Sequence, residues 1–141
     1  VVASAAGASA VDISERADAV AHLAPEELGE GIVRSFVGLW DGMGPDRFAA
    51  VIRAAMSSDE SLAPFREFVT TGILGRIVGK LAPDQPELRG QLIASQLIGF
   101  GMARWMARME GIAQLDIEEA VALVGPTIQR YATGELPRSG D

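Results

Sequence analysis

Residues 91–109, QLIASQLIGFGMARWMARM, constrain this chain more than any other stretch. The run approaches the apolarity of a membrane span, but Arg104 and Arg108 interrupt it. No window is long, apolar and uncharged enough to cross a bilayer. The run reads as most of a long helix over residues 84–110, opened by Asp84 or Gln85 and closed by Gly111. Ser95, Gly99, Ala103 and Ala107 recur every four residues, which lays a stripe of small side chains along one face. Small faces let a second backbone come close. Leu92, Ile98, Met102, Trp105, Met106 and Met109 lie beside that stripe. Two broad apolar faces are more than one small core covers. One face then serves the core and the other meets a second subunit; the alternative is the central buried helix of a monomer.

The rest of the chain is punctuated as an all-α domain. PEELGEGIVRSFVGLW starts with Pro25 at a first helical position and places Leu28, Ile32, Phe36 and Leu39 or Trp40 at helical spacing. DGMGP, residues 41–45, breaks it. Phe48, Ile52 and Met56 follow every four residues, and Leu62, Phe65, Phe68 or Val69, Ile73, Ile77 and Leu81 form the next stripe. Gly72, Gly75 and Gly79 in that segment point to close packing or a bend. Asp116 with Glu119 forms a capping-box pattern before Ile117, Val121, Val124, Ile128 and Tyr131. Pro126 predicts a kink near Gly125, and Gly134 fits a helix end. Five main helices result. The last two, contributing Ser95, Gly99, Ala103, Ala107, Val121, Val124 and Ile128, would build a four-helix bundle with the same pair from a second copy. The domain is expected over 25–134, with 1–24 a linker or the remnant of a preceding helix, itself capable of one short helix, and 135–141 a flexible tail.

Chemistry is sparse. The 141 residues hold no cysteine and one histidine, His22. Disulfides, thiolate catalysis and cysteine metal sites are excluded, as suits a reducing cytoplasm. No serine has a plausible base, and no phosphate-binding glycine motif stands in the right context. Glu26, Glu27 and Glu30 form a carboxylate cluster, but the Glu-x-x-His pattern of a di-metal site is missing, so a solvated helix start is the better account. No catalytic residue, metal ligand or cofactor is expected, and the protein is not expected to be an enzyme. The net charge of −7 makes these residues poor ligands for a phosphate backbone.

Phe36, Trp40, Phe48, Ile52, Met56, Phe65 and Phe68 fall on the apolar stripes of three consecutive helices. They read as an ordinary core or as the lining of a pocket for an apolar or aromatic small molecule. Arg34, Arg53, Thr70, Thr71 and Gln96 are the polar groups best placed to orient such a ligand.

PEELGEGIVRSFVGLWD, FREFVTTGILGRIV and ELRGQLIASQLIGFGMARWMARMEGIAQLDIEEAVALVGPTIQRYATG together resemble the C-terminal domain of actinobacterial-type tetracycline-repressor (TetR) family transcriptional regulators. The resemblance runs from about Pro25 to Gly134. It implies an all-helical, cytoplasmic homodimer that senses a small effector. DNA would be reached only through an N-terminal helix-turn-helix head, and no such head precedes residue 25. The alternative is a stand-alone helical protein that binds an apolar or aromatic ligand.

Overall fold

The computed structural model describes residues 15–78 and 84–137, and every regular element among them is helical. α1 covers residues 15–21. A 3-10 turn, Pro25–Glu27, leads into α2, Leu28–Met43, then α3, Pro45–Ala55, and α4, Asp59–Glu67. A π-turn, Phe68–Ile73, joins α4 to α5, Leu74–Val78. α6, Pro86–Gly101, runs into a second π-turn, Met102–Met106, and α7, Glu110–Ala113, precedes α8, Ile117–Thr133. The expected all-α class is observed.

Local chemistry accounts for several of the helix ends. Proline opens the 3-10 turn, α3 and α6, where its missing N–H costs nothing. Ser58 Oγ accepts the Ser61 N–H at the start of α4. The capping box of α8 is complete: Asp116 Oδ1 accepts the Glu119 N–H at 2.8 Å, and Glu119 Oε1 accepts the Asp116 N–H at 3.1 Å.

The most extensive helix pair is α2 against α8. Glycine makes it possible. A Cβ on Gly29 would collide with the Gly125 carbonyl oxygen and stand 2.6 Å from the Gln129 nitrogen, so only a bare backbone fits there. Gln129 then closes the crossing. Its Oε1 accepts the Gly29 N–H at 2.8 Å, and its Nε2 donates to the Pro25 carbonyl at 2.9 Å. One side chain of α8 thus satisfies a backbone donor that the first turn of α2 leaves without an intrahelical partner.

Around this crossing, Leu28, Ile32, Val33 and Val37 of α2 pack with Ile93, Ala94 and Leu97 of α6 and with Ala120, Val121 and Ile128 of α8. Ala17 and Val20 of α1 belong to the same core. Residues 15–21 thus form a packed helix, where the sequence allowed one short helix; residues 1–14 lie outside the described residues. Leu136, expected in a free tail, is also buried. Arg89, itself buried, joins the start of α6 to the end of α8. Its guanidinium donates to the Tyr131 carbonyl at 2.9 Å and to both Asp84 carboxylate oxygens at 3.1 Å.

Two expectations about helix extent are corrected. The long helix stops before Gly111, which lies inside α7. Arg108 turns the chain with φ 52°, and the Met109 N–H returns to the Ala103 carbonyl at 2.9 Å. Arg104 holds the turn by donating Nη1 to the carbonyls of Ile112 and Leu115, at 3.0 and 2.8 Å. The segment after Ser58 is not one continuous helix, because the π-turn at Phe68–Ile73 intervenes; Gly79 lies outside the described residues. Gly134 ends α8 with an ordinary φ of −74°. Glycine is needed there for closeness, since a Cβ would meet the Arg130 carbonyl oxygen at 2.6 Å. Helix α8 is assigned without interruption through Pro126, and both Pro126 and Ala122, whose carbonyl loses its donor, are exposed.

Gly29→Ala is expected to destabilise the protein by about 1–3 kcal/mol, through overpacking against a backbone that cannot yield. Gly42→Ala, where a Cβ meets nothing within 4 Å, should instead stabilise by about 0.4–1 kcal/mol. Urea denaturation midpoints of the two variants check both signs.

Candidate functional site

Helices α1 to α6 line a partly open cavity of about 390 Å³. Ile32, Phe36, Leu39 and Trp40 project into it from one face of α2, one helical turn apart. The adjacent flank of α2, with Gly29, Val33 and Val37, is buried. Phe48, Val51 and Ile52 of α3 form a second wall, and Phe65 of α4 with Phe68 and Val69 of the π-turn a third. Ala94, Leu97 and Ile98 of α6 make the floor, while Ala17 and Val20 of α1 and Ile77 of α5 complete the lining. Its polar members are Arg16, Ser35 and Arg47.

One wall is an aromatic cluster. Phe48 stands edge-on to Trp40 at 5.2 Å between centroids and to Trp105 at 4.9 Å. Phe36 contacts Phe48 at 6.3 Å and Trp105 at 5.7 Å. Edge-on pairs at these distances are favourable beyond the area they bury. Gly101 of α6 makes room for the Phe48 ring, since a Cβ there would stand 2.5 Å from it. Trp105 lies behind the lining and is held by Asp41, whose Oδ1 accepts the indole N–H at 2.8 Å. Arg104 forks onto the same carboxylate at 3.1 and 2.8 Å. Burial pushes the Asp41 carboxyl up, but hydrogen bonds from Arg104 and Trp105 and the charge of the arginine outweigh it and hold the group below its ordinary value.

Of the expected pocket residues, Phe36, Trp40, Phe48, Ile52, Phe65 and Phe68 line the cavity. Met56 and Gln96 do not. Met56 is the C-cap of α3 and 58% exposed, and Gln96 lies on the outer side of α6. Among the suggested orienting groups, Arg34 and Arg53 are exposed, with Arg34 paired to Glu118 at 2.8 Å, and Thr70 is buried outside the lining; nothing is described of the Thr71 side chain. The α1 residues and Trp105 were not expected at the site. The helical pattern before residue 25 is weak. Trp105 follows Ile98 by seven residues and Gly101 by four, in step with the inner side of α6, but a run apolar on several sides does not say which side is inner.

The small-residue stripe lies largely outside the protomer core. Ser95, Gly99 and Ala107 are exposed and Ala103 is half-buried, and a Cβ on Gly99 would meet nothing within 4 Å. Leu88, Leu92 and Met102 share that flank at steps of three and four residues. On α8 the expected contact residues need correction. Val121 and Ile128 are 3% and 0% exposed because α8 turns that stripe onto α2, and Val124 is half-buried. The outer flank of α8 carries Leu123, 65% exposed, with Pro126 and Thr127.

Comparison with known proteins is decisive for the family. Residues 26–132 match the tetracyclin repressor-like C-terminal domain. The chain belongs to the TetR family of transcriptional regulators. Among solved structures, a TetR-family regulator from Streptomyces coelicolor A3 is similar to this TetR domain with a TM-score of 0.64. It is 29% identical, over 86% of this chain and 81% of that one. The curated proteins gave no match. The match assigns the domain to the ligand-binding and dimerisation part of a regulator, in a family that is not enzymatic. Among the described residues of this TetR domain, no helix is long and apolar enough to cross a membrane.

Asp41→Ala is expected to cost about 1–3 kcal/mol at neutral pH, by leaving the enclosed Arg104 and the Trp105 N–H short of an acceptor. A carboxyl depressed in the folded state contributes stability above its unfolded pKa of about 3.9, and that contribution is lost as pH falls through the folded value. Below about pH 4 the variant should therefore lose stability less steeply than the parent, which urea titrations from neutral to acid pH measure.

Proposed function

We propose that this domain senses a small apolar or aromatic molecule in the cavity between α1 and α6, and assembles as a homodimer through the outer flanks of α6 and α8. The observation that supports the sensing function best is the partly open cavity of about 390 Å³ with aromatic side chains from α2, α3 and α4 on its walls. Its size falls within the range of about 300–1,000 Å³ usual for ligand pockets, and its apolar lining fits a ligand bound mainly by burial. The assembly draws support from the exposed apolar flank of Leu88, Gly99, Met102 and Leu123. Apolar surface of this kind, clustered on adjacent helices, marks a contact site.

In this reading the domain acts in the cytoplasm. DNA is contacted by a helix-turn-helix segment outside these residues, since the chain itself carries a net charge of −7. An effector shifts the regulator only by favouring one arrangement of the dimer over the other. The α2–α8 crossing supplies a rigid route for this. Helix α2 holds ligand-lining side chains on one face and packs by another against α8, whose outer flank faces the proposed partner.

Two variants separate the two parts. Trp40→Ala removes a large part of the cavity wall and should weaken binding of a neutral fluorescent apolar probe such as N-phenylnaphthylamine several-fold, leaving the sedimentation coefficient unchanged. Gly99→Leu adds a side chain where the protomer has open space, so folding should persist. The interlocked seam would be overpacked by about 1–3 kcal/mol, lowering dimer affinity roughly 5- to 150-fold in analytical ultracentrifugation. Intact dimerisation of Gly99→Leu would place the contact elsewhere. A Trp40→Ala variant that only unfolds, or that folds and binds the probe as the parent does, would make the cavity an ordinary core.

A further inference from the structure

The described lining of the cavity contains two guanidinium groups and no carboxylate. That is unusual for a chain with a net charge of −7. The protein shows how it treats enclosed arginines elsewhere. Arg89 forks onto Asp84, and Arg104 forks onto Asp41. Arg16 is the exception. It is half-buried at the cavity wall, and among the described residues its guanidinium makes only a long hydrogen bond, Nη1 donating to the Ser35 carbonyl at 3.4 Å. The side chain lies over α2 beside Gly38, where a Cβ would stand 3.5 Å from Nη1. A guanidinium has five N–H donors in a planar fork that matches a carboxylate, and partial burial makes an unpaired cation costly. Arg47, on α3, adds positive charge to the same lining.

We propose that the effector is an apolar acid bound as its carboxylate, with the head on Arg16 and the hydrophobic body among Phe36, Phe48 and Phe65. The inference rests on the ligand-sensing function proposed above and narrows its chemistry. A neutral apolar ligand would fill the volume and leave the Arg16 fork unused. A cationic ligand would face two like charges. A carboxylate would give Arg16 what Asp84 and Asp41 give Arg89 and Arg104.

Calorimetric titration of the whole chain with matched acid and alcohol pairs tests this: decanoate against decanol, and naphthylacetate against naphthylethanol. At neutral pH the acid of at least one pair should bind about tenfold or more tightly than its alcohol, as a charge-assisted fork implies. Arg16→Gln should lower the affinity of that acid about tenfold and leave the alcohol unchanged, while Arg16→Lys, which keeps the charge without the fork, retains only part of the preference. Equal binding of acid and alcohol, with Arg16→Gln altering neither, overturns the acid assignment and leaves the cavity a neutral apolar site. Equal weakening of both ligands by Arg16→Gln would make Arg16 a structural group and likewise overturn it. Failure of all four probes to bind the parent protein defeats the sensing function itself, and this inference with it.

Discussion

The crossing of α2 and α8 at Gly29 and Gly125 is the constraint from which the rest of the structure follows. Two helix backbones approach closely only where side chains are absent, and here a single methyl on Gly29 would run into backbone on the other side. Gln129 fastens the pair by answering both an N–H and a C=O near the start of α2. With α2 seated on α8, its Ile32, Phe36 and Trp40 face is directed into the space beneath α1, α3 and α6. The stripe of α8 that carries Val121 and Ile128 is consumed in the same contact, so α8 can offer other molecules only its Leu123 flank.

The second organising feature is the polar knot at the far end of α2. Asp41 receives the indole N–H of Trp105 and the fork of Arg104, while Arg104 also binds the two carbonyls that bring α7 back. This knot sits behind the aromatic wall. Trp105 supports Phe48 and Phe36 from outside the cavity, and Gly101 leaves the Phe48 ring its space. The π-turn that includes Trp105 breaks the regular face of the long helix. The same segment presents small residues outward near Gly99 and, six residues on, the aromatic anchor Trp105 inward. The two glycines of the GFG triplet, Gly99 and Gly101, thus have opposite surroundings, one open and one filled.

Much of the site was legible in residue order, because side chains spaced three or four apart on a helix must share a face. Phe36, Trp40, Phe48, Ile52, Phe65 and Phe68 could be grouped on that ground alone, and all six line the cavity. The failures lie where periodicity stops being informative. Met56 follows Phe48 and Ile52 in step, but α3 ends there and the side chain falls outside. Gln96 was chosen for its chemistry on a helix apolar on several sides, where composition does not say which side is inner. Arg104 pairs with Asp41, a partner set by the fold and remote in the chain, which helical spacing does not reveal.

The sequence by itself determined that the protein is helical, where most helices begin, which family it resembles, and which aromatic residues belong together. These properties depend on interactions within a few turns: proline at first positions, the Asp116–Glu119 box, and apolar spacing near 3.6 residues. Only the tertiary structure decided which face of α6 and of α8 is turned inward, that residues 15–21 pack into the core, and that Arg16 stands at a cavity whose described lining holds no carboxylate. Those outcomes depend on which backbones can approach each other. A missing Cβ at Gly29 or Gly101 shows what it permits only when the opposing helix is in place.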